Sequence, residues 1–81
     1  MEKQVMYLLI QARFGRVDRV ATKLLKYKSI QDVHELLGQW DIICKVNGKD
    51  MNEITSFLEG EILPNADIAG VETLIVSDTI S

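Results

Sequence analysis

The 81-residue sequence contains one cysteine, one histidine, one proline and one tryptophan. Each scarcity removes a class of protein. One Cys and one His cannot supply the four ligands of a structural zinc site within the chain. A lone cysteine allows no internal disulfide and suits a reducing compartment. No apolar run approaches the ~20 residues that cross a membrane as a helix. Met1-Glu2-Lys3-Gln4 leads directly into a strand pattern, without the charged, apolar and cleavage regions of a signal peptide, so a cytoplasmic location and no membrane partner are expected. There is no GxGxxG, no GxxxxGK[ST], and no Cys or Ser at a suggestive spacing from His34. No cofactor, no metal and no catalytic residue are therefore expected. A basic face is also missing: the net charge is −3, and the one small group of lysines, Lys23, Lys26 and Lys28, suits the solvent side and C-terminal end of a helix. Direct nucleic-acid binding is not expected.

What is present is globular: 47% of the residues are hydrophobic and 26% charged, in a length that makes one domain, residues 1–81. A chain this small builds a modest core, and a ligand site between subunits is more plausible than a deep pocket inside one.

Val5 to Ala12 is a nearly unbroken apolar run, which predicts a strand covered on both faces. Val17, Val20, Ala21, Leu24 and Lys28 follow helical spacing, predicting an amphipathic helix of about three turns that ends near Tyr27 to Ser29. Ile30 to Leu37 reads as a second, more polar strand and Ile42 to Asn47 as a third. The short Gly38–Asp41 connection makes them an antiparallel hairpin. Asn47-Gly48-Lys49 reads as a loop before a second helix, with Asp50 as N-cap and Glu53 completing a capping box. Met51, Ile54, Phe57, Leu58 and Ile62 form its buried face, Gly60 weakens it and Pro64 stops it. Ile68 to Ser77 gives a fourth strand, and Asp78 to Ser81 a frayed tail. The fold class predicted by this β-α-β-β-α-β order is α+β: a ferredoxin-like sandwich of a four-stranded antiparallel sheet with two helices on one face. The other face would expose apolar residues of the first and fourth strands, so a homodimer paired through its sheets is expected.

Candidate functional residues concentrate where a turn becomes a strand. Gly38 permits a tight turn, and Trp40 and Asp41 place a large ring and a carboxylate at the strand mouth, where ligands are commonly met. The alternative is that Trp40 only packs over the sheet edge and Asp41 only braces the turn. Cys44 is expected in the core, Met6 and Met51 as core fillers, and His34 as a solvated or interface residue.

The run Ile30-Gln31-Asp32-Val33-His34-Glu35-Leu36-Leu37-Gly38-Gln39-Trp40-Asp41-Ile42-Ile43-Cys44-Lys45-Val46 resembles the hallmark segment of the effector-binding (RAM) domain of the Lrp/AsnC regulators: a strand ending in Gly-x-aromatic-Asp, then an apolar strand with a basic residue. The resemblance extends over Tyr7–Ile10, the first helix and Glu72–Val76, in all about residues 4–78. It implies sheet-paired dimers that assemble into rings, with small effectors, typically amino acids, bound between dimers. On this chain the implied ligand-binding residues are Gly38, Gln39, Trp40, Asp41 and Thr73. Trp40 stands where the family usually has Tyr or Phe, and Val71 where the last strand often begins Thr-x-Thr. Family regulators carry an N-terminal helix-turn-helix that this sequence lacks. The resemblance is thus to a stand-alone effector domain that influences transcription through another protein, full-length Lrp/AsnC paralogues being candidates. Two other readings remain at this point: a small dimeric cofactor-free oxygenase or isomerase using His34 and Asp41, and an assembly partner that binds no ligand.

Overall fold

A computed structural model describes residues 4–78 and residue 80. Met1 and two members of the expected tail, Thr79 and Ser81, lie outside the described residues. The elements run β1 (Gln4–Ala12), α1 (Val17–Leu24), β2 (Ile30–Glu35), β3 (Ile42–Gly48), α2 (Met51–Phe57) and β4 (Ile68–Ile75). Helix α2 continues into a π-helical turn, Leu58–Ile62, closed by the Leu63 N–H donating to the Leu58 carbonyl at 2.8 Å. Gly60, the weakest helix former of the segment, is at its centre.

The strands form one antiparallel sheet in the order β2-β3-β1-β4, the ferredoxin-like arrangement. Alternate residues of β1 (Met6, Leu8, Ile10, Ala12) and of β3 (Ile42, Cys44, Val46) are buried beneath Val20 and Leu24 of α1 and Ile54, Leu58 and Ile62. Edge-to-face packing of Tyr27 on Phe57, with centroids 5.1 Å apart, joins the helix ends. Asp50 caps the helix, its Oδ1 accepting from the Glu53 N–H at 2.9 Å, but the expected capping box does not close on the N-cap: Glu53 Oε1 accepts from the N–H of Lys49, one residue earlier, at 3.3 Å. Gly48 belongs to β3 rather than to the expected loop. A Cβ there would lie 2.7 Å from Ile54 Cγ1, so only glycine lets this strand pass so close under α2.

Three other expectations need correction. Helix α1 is shorter than expected, ending at Leu24 with turns through Ser29. Strand β2 stops at Glu35, and Leu36 and Leu37 belong to the loop. Strand β2 also carries a bulge: Gln31 pairs with Lys45 and His34 with Ile43, so Asp32 and Val33 together oppose Cys44. Asp32 takes a left-handed φ of 54°, which Asp tolerates better than most residues, and its carboxylate lies 3.6 Å from Lys45 Nζ. The extra residue reverses the alternation. Ile30 and Val33, of opposite parity in a regular strand, both turn to the core.

Among the described residues, the unbroken apolar run of β1 is covered on one side only. Val5, Tyr7 and Leu9 are half-buried on the face away from the helices, beside Ile43 and the exposed Leu74.

Candidate functional site

The turn between β2 and β3 is built around Asp41. The last β1–β3 ladder pair is Ile10 with Ile42. Beyond it the Asp41 N–H donates to the Ile10 carbonyl at 2.9 Å, and the Leu36 N–H donates to the Asp41 carbonyl at 2.8 Å. The next β1 amide facing β3 belongs to Ala12 and has no strand partner left. Asp41 Oδ2 accepts from it at 2.8 Å. A backbone donor at a strand end must find an acceptor, and the carboxylate supplies one where the ladder stops. Asp41 therefore braces the junction of three segments with one of its oxygens.

Around this anchor the loop stands out from the sheet. Leu37 is fully exposed at 104%, Gly38 and Gln39 are exposed, and Trp40 is half-buried. Gly38 has φ +136°, a conformation that side chains strongly disfavour. Gly38, Gln39, Trp40 and Asp41 are thus brought together as the sequence suggested. Leu37, read as a strand residue, joins them as the apolar tip of the loop; its place among five consecutive residues with no strand alternation was the available signal.

Thr73 is not part of this cluster within one chain. It pairs with Leu8 on β4, and β1 lies between β4 and β3, so two strand spacings of about 10 Å separate it laterally from the turn. It is exposed, on the helix side of the sheet, at an edge that neither helix covers. His34 pairs with Ile43 and faces the open side of the sheet, away from the helices, so His34 and Asp41 do not line the cleft between helices and sheet that the enzyme reading required. Cys44 is completely buried, and burial pushes its thiol up to about 11. Among the described residues no three metal-ligating side chains cluster, and no helix is long and apolar enough to cross a membrane.

Two surface clefts lie away from the turn. One of about 500 Å³, bordered by Lys28, Asn47, Lys49 and Glu53, opens at the opposite end of β3. The other, about 390 Å³, lies on α1 between Arg19, Lys23 and Lys26. A further polar cluster escaped the sequence reading because it forms only in the folded chain. Arg16 Nε and Arg19 Nε approach the two carboxylate oxygens of Asp67 at 3.5 and 3.3 Å, and Arg13 Nε donates to the Ala66 carbonyl at 2.7 Å.

The subunit thus falls in the class of ferredoxin-like α+β sandwiches, with one sheet face uncovered among the described residues and an anchored Gly-x-aromatic-Asp turn at the sheet's end. The comparisons with known proteins specify it. The model of the Lrp/AsnC ligand binding domain matches residues 5–81, and the chain belongs to that family. It is 35% identical over 75 residues to the HTH-type transcriptional regulator FL11 of Pyrococcus abyssi, covering 90% of this chain and 48% of that protein. The chain spans about half the length of the curated relatives it matches. The fold matches TTHA0845 of Thermus thermophilus with a TM-score of 0.88 at 22% identity, covering 96% of this chain and 98% of that one. It also matches the NMB0573/L-Met complex of Neisseria meningitidis, a transcriptional regulator, with a TM-score of 0.86 at 18% identity, over 96% of this chain and 52% of that one. The family and its relatives are transcriptional regulators, not enzymes.

Proposed function

We propose that this domain is a cytoplasmic, amino-acid-binding module of transcriptional regulation, working as an oligomer of sheet-paired dimers and acting on transcription through partner regulators of its own family. The observation that carries the reading is Asp41: its Oδ2 is held by the Ala12 amide, so the carboxylate is fixed at the loop mouth before any ligand arrives. Its second oxygen is the acceptor for an α-ammonium group. The amides flanking Gly38 donate to the effector's carboxylate, Trp40 walls the side-chain pocket, and Gln39 closes it. Thr73, remote from the turn of its own subunit, reaches the same ligand from a neighbouring one. Occupancy and assembly are then coupled by linkage. The Neisseria structural neighbour, solved with L-Met, supports the amino-acid class.

Asp41→Asn separates recognition from bracing. An amide oxygen still accepts from the Ala12 N–H, but the negative charge is gone. The melting temperature is expected to change little, while affinity for the effector falls roughly ten- to a hundredfold, the equivalent of about 1.5–3 kcal/mol. Calorimetric titration with the twenty amino acids supplies the readout, with Trp40→Ala expected to alter which one is preferred. An Asp41→Asn protein that binds like wild type removes Asp41 from recognition. A wild type that none of the twenty stabilises leaves assembly as the domain's whole role.

A further inference from the structure

The cleft at the far end of β3 gathers three chain segments. Lys28 and Ser29 come from the turn before β2, Asn47 from the end of β3, and Lys49 and Glu53 from the entry to α2. The backbone beneath them is fixed. The Asn47 N–H donates to the Ser29 carbonyl at 2.8 Å, and Gly48 passes under α2 too closely for any larger residue. The two carboxylates of this corner are turned to backbone: Asp50 Oδ1 accepts from the Glu53 N–H and Glu53 Oε1 from the Lys49 N–H. The donors are not so occupied. Among the described residues, no hydrogen bond or ion pair engages the side chains of Lys28, Ser29, Gln31, Asn47 or Lys49. Two ammonium groups, two amides and a hydroxyl thus border a space of about 500 Å³, within the usual range of small-molecule sites. The second cleft lacks this convergence, because its bordering residues, Asp18 to Lys26, all belong to α1 and the turn after it.

We propose that this cleft binds a small phosphomonoester, of the size of a nucleoside monophosphate, with Lys28 and Lys49 holding the phosphate. Such a group carries about −1.5 to −2 charges at pH 7, which two ammonium groups match. Lysine serves phosphate as a compact point charge on a flexible stem, and the Ser29 hydroxyl and Asn47 amide are neutral donors for the remaining oxygens. Gln31, which offers both a donor and an acceptor, borders the same space and suits the polar remainder of the ligand. A long polyanion is disfavoured. The chain carries a net charge of −3, and the cleft presents two cations where a duplex-binding surface makes roughly 6–10 phosphate contacts. Cleft and β2–β3 turn stand at opposite ends of β3, about 20 Å apart along the strand. The phosphate site is therefore separate from effector recognition and does not rest on it.

Calorimetric titration of the full chain with inorganic phosphate, adenosine monophosphate and adenosine tests it. Both phosphates are expected to bind at one site per subunit, the monophosphate more tightly, and adenosine not to bind. Lys28→Gln with Lys49→Gln should lower the affinity for both roughly ten- to a hundredfold. The melting temperature should not move, since both lysines are exposed. Lys23→Gln with Lys26→Gln removes the same charge elsewhere and should bind as wild type does. Asp41→Asn should do the same, so a failure of effector recognition leaves this result standing. The proposal is overturned if neither phosphate binds at millimolar concentration, or if adenosine binds as well as its monophosphate. It is also overturned if the two lysine pairs weaken binding equally, which would mean a diffuse effect of charge. Duplex DNA that displaces the monophosphate and holds Lys28 and Lys49 more tightly overturns it as well, by showing a nucleic-acid contact in place of a small-molecule site.

Discussion

The two sides of strand β1 have nearly the same composition and different fates. Met6, Leu8 and Ile10 point under the helices and are buried. Val5, Tyr7 and Leu9, interleaved with them, point to the face that the chain leaves uncovered. One apolar run thus has two faces, only one of which the subunit's own helices cover. The uncovered side is apolar at its centre, with Leu9 beside Ile43 and Tyr7 beside Leu74, and polar toward the β2 edge, with Gln31, Lys45 and His34. That layout, an apolar centre with a polar rim, supports the proposed pairing of sheets.

The largest expected effects come from cutting the same side chain on the two sides of the strand. Leu8→Ala leaves a cavity among fully buried neighbours and is expected to cost roughly 2–5 kcal/mol, a large share of the stability available to so small a domain. Leu9→Glu places a charge on the open face. Its far-UV spectrum should stay native while light scattering reports a 9.2 kDa monomer. If Leu9→Glu unfolds the chain as severely as Leu8→Ala, or remains a dimer, the assignment of the open face as the pairing surface fails.

The bulge in β2 sharpens the comparison, because it decides which side Val33 joins. Asp32 holds φ at +54°, and a β-branched replacement tolerates that poorly. Asp32→Val is expected to cost about 1–3 kcal/mol in chemical denaturation. Asp32→Gly should be nearly neutral, since glycine accepts the same φ. Equal losses for the two variants would mean that the Asp32–Lys45 ion pair, not the backbone, holds the bulge.

The bulge also marks where the sequence stopped being legible. Element order, the N-cap at Asp50 and the burial of Cys44 follow from local patterns: apolar spacing, a cap residue, alternation. Asp32 reads as an ordinary polar position in a strand, and nothing in its neighbours signals an inserted residue. The end of β2 was misplaced because Leu36 and Leu37 are apolar, and apolar letters argue for a strand even where the chain turns into a loop. At the candidate site, Gly38 and Asp41 were legible as turn chemistry. The partner of Asp41 was not, because the Ala12 amide is orphaned only by the register of β1 against β3. Asp67 beneath Arg16 and Arg19 was hidden for the same reason: half a chain of sequence separates them.

The smallest expected effect tests the two sides without disturbing either. Cys44 lies on the helix side of β3, fully buried, and burial raises its thiol from 9.0 to about 11. At neutral pH it is therefore protonated as well as inaccessible, and thiol reagents should reach it only through unfolding. Ile43→Cys moves a thiol one residue along, to the open face. In a monomer such as the Leu9→Glu protein it should label rapidly; in a sheet-paired dimer it should be protected, and the protection should fade on dilution. The pH dependence follows from the same burial. The unfolded chain releases the Cys44 proton near pH 9.0 and the folded chain only near about 11. Between those values the unfolded state binds fewer protons, so stability contributed by the protonated thiol is complete below pH 9.0 and declines as pH rises through that window. Cys44→Ala should flatten that alkaline decline at the expense of a small cavity. Native-state labelling of Cys44 as fast as that of Ile43→Cys in the monomer would mean that the helix side of β3 is no better closed than the open one.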